Sequence, residues 1–141
     1  MRRYLVVANR TLAGAHLLET LSELATRDRC VFHVVVPAEH ARSHAWSDGA
    51  AHATAEARLE DALGRFGRLD AEVDGEVGDA DPAMAVEDVL VRGERWDGIV
   101  VSTLPPGPSR WLKLDLPNRL SGRTGLPVTH VVGQPEPATA R

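Results

Sequence analysis

The side chains best suited to chemistry in this sequence gather at two junctions. Asn9, Arg10 and Thr11 follow the apolar run Tyr4–Ala8. Ser102 and Thr103 follow a second run, Ile99–Val101, with Ser109 and Arg110 a short loop further on. Val36 ends a third run, Val31–Val36, and completes the set of candidate ligand-binding residues. Asn9 and Thr11 are equipped to hydrogen-bond a base or a sugar, and Ser102 and Thr103 to donate to an acceptor group. Arg10 and Arg110 are equipped to hold an anion, with Ser109 capping a turn beside it. This is the chemistry of binding rather than of bond breaking. Each residue also has a plainer role: Asn, Ser and Thr at strand ends often cap helices or bond their own turn, and surface arginines are usually solvated.

Patterns that would carry catalysis are missing, so no catalytic residue is assigned. A Ser/His/Asp hydrolase needs a sharp nucleophile turn such as Gly-x-Ser-x-Gly, and the sequence has none. Glu56, Glu60 and Asp61 have the spacing of a wet helix face rather than of an acid/base pair. His40 and His44, with His52 beyond, would share a face if helical, as metal sites require. No carboxylate or thiol stands beside them at ligand-like spacing, so no metal site is assigned either. His33 lies within a strand and His16 on a helix, where packing or surface roles come first.

The elements that position these residues can be read from periodicity. Tyr4–Ala8, Val31–Val36 and Ile99–Val101 are continuously apolar, as strands covered on both faces are, and Val128–Val132 is similar. Leu69–Val77 alternates and suits an edge strand. Ala13–Ala25 and Ala51–Phe66 carry apolar stripes at helical spacing. A third helix has Asp81 as its cap, Pro82 in its first turn and Gly93 as its stop. A short fourth runs from Pro117 through Arg123 to a stop at Gly125, and Leu112–Leu116 is expected to be a loop. The order β-α-β-α-β-α-β-α-β implies an α/β fold: a parallel sheet between two layers of helices, with right-handed crossovers. Ligands in such sheets sit beyond the carboxyl ends of the strands where strand order reverses, usually between the first and fourth strands of a five-stranded sheet. Both polar junctions fall there.

Bulk properties narrow the classes further. The 141 residues form one domain, residues 1–133, followed by a Pro-, Ala- and Thr-rich tail, residues 134–141. A net charge of −4 provides no basic field to recruit nucleic acid or an anionic membrane. The lone Cys30, inside a strand-like run, reads as a buried small hydrophobe, and no intrachain disulfide can form. The apolar stretch after Met1-Arg-Arg is too short for a signal-peptide core or a membrane span, so a cytoplasmic location is expected.

Over about residues 3–132 the chain resembles the universal stress protein family, within the adenine-nucleotide-binding α/β domains. The resemblance rests on Tyr4–Ala8, on Gly78-Asp-Ala-Asp-Pro-Ala-Met-Ala85 leading into a helix, on Trp96-Asp-Gly-Ile-Val-Val101 and on Gly125-Leu-Pro-Val-Thr-His-Val-Val132. It implies a sheet ordered 3-2-1-4-5 and a homodimer paired through the fifth strand. His130, on one side of the last strand, is read from its position as a structural residue or a contributor to a dimer seam. ATP-binding members carry Gly-x2-Gly-x9-Gly-Ser/Thr after the fourth strand. That spacing falls here on Ser102, Pro105, Asp115 and Leu116, and a shift by one restores no glycine. Pro105 has no N–H for a phosphate oxygen. Asp115 would set a carboxylate against one, and at about 4 Å two such charges repel by about 1 to 4 kcal/mol. The acidic residue often found after the first strand is Asn9. Leu104-Pro-Pro-Gly-Pro108 is expected to fill or cover part of the cleft, and Trp111 either to anchor a partner or to cover its own core.

The reading that follows is a non-catalytic homodimer with a stress-related or regulatory role and no cofactor, ATP and other adenine nucleotides being disfavoured. The alternative is a receptor for a nucleotide or another small anion held by Arg10 and Arg110. An enzyme of adenylyl or phosphate chemistry ranks third.

Overall fold

The computed structural model describes residues 1–39, 48–105 and 109–133. The tail at 134–141, His40 and His44 lie outside the described residues, as does most of the Pro-rich stretch. Five parallel strands form one sheet: β1 (Arg2–Val7), β2 (Cys30–Pro37), β3 (Glu72–Gly78), β4 (Gly98–Thr103) and β5 (Val128–Val132). Their order is β3-β2-β1-β4-β5, as the resemblance implied.

The three inner strands are apolar at consecutive positions because both of their faces are covered. Val6, Ala8, Phe32, Val34, Val36 and Val100 pack in one core with helices α1 (Ala15–Arg27) and α2 (Asp48–Phe66), through Leu17, Leu21, Leu59 and Phe66. Leu5, Val7, Val35, Ile99 and Val101 pack in a second core with α3 (Pro82–Leu90), α4 (Arg110–Lys113) and α5 (Leu116–Thr124), through Val86, Val89, Trp111 and Leu120. This is the three-layer α/β arrangement. Cys30 lies in the first core, and burial pushes its thiol pKa up.

Local chemistry sets most element ends. The Asp81 carboxylate accepts from the Ala83 N–H at 3.0 Å, with Pro82 opening the first turn of α3. Gly93 and Gly125 both take positive φ, 86° and 70°, where a side chain would be strained. Two expectations need correction. β3 begins at Glu72 rather than Leu69, because the preceding residues turn, with the Ala71 N–H bonded to the Leu69 carbonyl at 2.8 Å. Leu112–Leu116 is not a plain loop. One helical turn, α4, runs into it, and α5 starts at Leu116, so that Trp111 and Leu116 both reach the second core.

Strand β3 lies at the sheet edge and is tied down in two ways. Gly75 lets it approach β2 and α2 closely: a Cβ there would stand 2.6 Å from the Val34 carbonyl and 2.7 Å from Leu59 Cδ1. Polar side chains make the second tie. His33 of β2 contacts Asp74 at 2.8 Å and Glu76 at 2.6 Å, and Arg92 grips both Glu76 oxygens at 2.6 Å. The Arg92 bonds, helped by His33 and opposed by partial burial, lower the Glu76 carboxyl from 4.5 to about 2.

Gly75→Ala is expected to destabilise the fold by about 1 to 3 kcal/mol, because backbone and Leu59 must shift to admit the methyl. Urea unfolding with a lower midpoint and an unchanged slope checks this. Glu76 ionises more easily folded than unfolded, so its contribution is complete above pH 4.5 and is lost as pH falls toward about 2. Glu76→Gln should therefore flatten the acid limb of the stability profile across that window while lowering stability at neutral pH.

Candidate functional site

Sheet order reverses between β1 and β4: the chain proceeds from β1 to β2 and β3 on one side, then returns to lay β4 and β5 on the other. The carboxyl ends of β1 and β4 therefore form the crevice in which ligands of such folds sit. Val7 pairs with both Val35 and Val101, which brings the exits of β1, β2 and β4 to one level.

The structure brings several of the expected residues together, but it ties them to the protein itself. Thr11 and Ser102, separated by 91 positions in sequence, share a buried hydrogen bond of 2.5 Å across the crevice. Asn9 is 5% exposed and uses both ends of its amide. Its Nδ2 donates to the Pro37 carbonyl at 2.7 Å, and its Oδ1 accepts from Arg58 at 2.7 Å. Thr103 bonds His130 Nε2 at 2.8 Å, across to β5. Partial desolvation lowers the His130 pKa, which favours the neutral ring at pH 7. Ser109 is a helix cap: its Oγ accepts from the Leu112 N–H at 3.1 Å and so starts α4. Val36 is fully buried in the first core.

Arg10 stands apart. It is exposed in the turn after β1 and forms no ion pair with the described residues. The Arg110 backbone opens α4, and its side chain lies outside what is described.

Three further residues shape the crevice. Arg58 sits one position from the inward-facing Leu59 on α2, and an arginine beside an apolar stripe was the signal available for it. Gly133 crosses from the end of β5 and donates its N–H to the Thr103 carbonyl at 2.7 Å. A Cβ there would stand 2.9 Å from Thr11 Cβ and 3.1 Å from Ser102 Oγ, so the chain packs directly over that pair. Glu39, just beyond β2, accepts from the Trp111 indole N–H at 2.7 Å. Trp111 is 6% exposed, which makes it a cover for the second core and not an exposed partner anchor.

Asp115 occupies the position where the nucleotide-binding spacing calls for glycine. It takes the left-handed conformation, φ 55°, that glycine adopts without strain. The backbone shape is present, but the position carries a carboxylate, which accepts from Asn118 Nδ2 at 3.0 Å. Among the described residues no group of three or more His, Cys, Asp or Glu is arranged to hold a metal ion.

The fold is that of the universal stress proteins. A solved structure described as a protein from the universal stress protein family from Burkholderia pseudomallei is similar over 91% of this chain and 93% of its own, with a TM-score of 0.55 and 20% sequence identity. No protein-family model matches the sequence, and no curated protein does.

The Thr11–Ser102 bond can be tested with a double-mutant cycle. Thr11→Val and Ser102→Ala should each cost about 1 to 3 kcal/mol, because each leaves the other hydroxyl buried without its partner. The double variant should cost less than the sum of the two. Additive losses in chemical denaturation would mean that the two hydroxyls contribute independently.

Proposed function

We propose that this protein is a non-catalytic, universal-stress-protein-like homodimer with a stress-related or regulatory role in the cytoplasm, acting through its fold and dimer surface rather than by binding ATP in that family's usual way. The observation that carries the reading is the internal pairing at the crevice. Asn9, Thr11, Ser102, Thr103 and Ser109 all bond to the protein itself, and Gly133 packs over two of them. A polyphosphate would have to break these bonds and meet Pro105 and Asp115 where bare glycine amides are needed. The fold and composition support the rest: among the described residues no helix is long and apolar enough to cross a membrane. The negative net charge gives nucleic acid no attraction.

Dimerisation is proposed through β5, at the edge opposite β3. Val132 is 42% exposed there, and Thr129 and His130 are exposed beside it. An edge strand with an uncovered apolar side chain is a template for pairing with a second copy. A receptor for a small anion is the second reading, favoured by one observation: Arg10 is an exposed cation in the turn that follows β1, with no ion-pair partner among the described residues.

Thermal unfolding against a nucleotide panel separates the two readings. A ligand present at about 100 times its dissociation constant stabilises a fold by about 2.7 kcal/mol. No shift is expected with ATP. A shift with any nucleotide that Arg10→Ala abolishes would favour the receptor. For the dimer, light scattering at micromolar concentration should give twice the chain mass, and Val132→Asp should reduce it to one chain mass with the fold intact. A monomeric wild type would overturn β5 pairing.

A further inference from the structure

The polar cluster on the β3 edge lies away from the crevice and is not used by it. His33 shares the sheet face of Val35 and approaches the Trp96 ring, with centroids 5.9 Å apart. Both of its ring nitrogens meet carboxylate oxygens: Nδ1 lies 2.8 Å from Asp74 Oδ1, and Nε2 lies 2.6 Å from Glu76 Oε2. An ionised carboxylate can only accept a hydrogen bond, whereas a neutral imidazole has one N–H and one lone pair. A neutral ring therefore satisfies one carboxylate and turns its lone pair on the other. A ring with protons on both nitrogens completes both bonds.

The surroundings make the two arms unequal. Arg92 pins both oxygens of Glu76, whose side chain is 28% exposed, and keeps it an acceptor through the neutral range. The Asp74 side chain is 72% exposed and can exchange the ring for water. The remaining charges nearby belong to other elements. Arg3 of β1 lies over the Trp96 ring, 4.7 Å from its centroid, and pairs with Glu94 at 2.9 Å. Asp88 and Glu94 act on Arg92. The ring thus sits between two anions, with Arg92 balancing Glu76 and no arginine or lysine paired with Asp74 among the described residues.

We propose that Asp74, His33 and Glu76 form a proton-operated clasp that fastens the edge strand β3 to β2. With both ring nitrogens protonated the clasp is closed on both sides. When pH rises and one ring N–H gives its proton to solvent, the bond to Glu76 persists and the Asp74 arm opens. The N-terminal half of β3 then loses its polar tie to β2, and the edge gains negative charge. The clasp is closed at the lower pH and released as pH rises through the ring's titration, which places a regulatory element on the side of the sheet opposite the proposed dimer strand.

The full chain labelled with nitrogen-15 tests this by NMR between about pH 5 and about pH 8, the range in which histidine rings change charge. The His33 ring nitrogens and the Asp74 and Glu76 amides are expected to move with one midpoint. Amide-exchange protection factors in β3 are expected to fall by on the order of tenfold in the neutral-ring form, the size set by one charge-assisted hydrogen bond. Asp74→Asn retains the shape and offers an N–H to the lone pair of a neutral ring. It should keep β3 protected across the titration and remove the pH response. His33→Gln, where it folds, should give a flat profile. β3 amides that ignore the ring's titration in the wild type would overturn the proposal, as would an Asp74→Asn variant that responds like wild type.

Discussion

Because β1 and β4 have no uncovered face, a polar group at their carboxyl ends has to find a partner within the protein or within a ligand. An unpartnered buried hydroxyl or amide costs as much as several well-made contacts contribute. Here the partner is internal. The Thr11–Ser102 bond closes the reversal point of the sheet, Asn9 joins the exits of β1 and β2 to α2, and Thr103 joins β4 to β5. These bonds link the strand exits to one another, and Gly133 packs directly over the Thr11–Ser102 pair.

The same constraint accounts for the character of the crevice. A site that binds a phosphate presents unused backbone amides, usually at a glycine-rich loop or the start of a helix. In this chain the start of α4 is capped by its own Ser109, and Asp115 keeps a glycine-like backbone angle while adding a negative side chain. The glycine-like backbone angle is thus kept while the donors and charges differ from those a phosphate site presents. A fold shared at 20% identity is compatible with that change, since layer packing tolerates wide substitution as long as volume and apolar patterning persist.

Much of the fold could be read from the sequence because its strongest constraints are local. Three short, continuously apolar runs read as doubly covered strands, and Asp81-Pro82 announces a helix start that the structure contains. The strand order came from likeness to a family and not from periodicity. The bonding at the crevice was not legible. Thr11 and Ser102 are 91 residues apart, and no spacing rule states that two hydroxyls at separate strand exits will choose each other over a ligand. Leu69 and Ala71 continue the alternation of β3 yet turn, because a preceding helix has to reverse before the strand can pair. Trp111 followed a Pro-rich stretch that looks exposed, but a one-turn helix directs it into the core.

Gly133 bonds back to the Thr103 carbonyl, so the polypeptide departs from the sheet at the same pole as the crevice, while β1 enters at the other. The surroundings of Gly133 and of Arg2 are therefore unlike. A probe at Gly133 itself would respond to events at the Thr11–Ser102 closure, against which that residue packs. One placed at Arg2 would respond to the Arg3, Trp96 and His33 neighbourhood, and comparing the two would tell crevice opening from loosening of the β3 edge without any change to the interior.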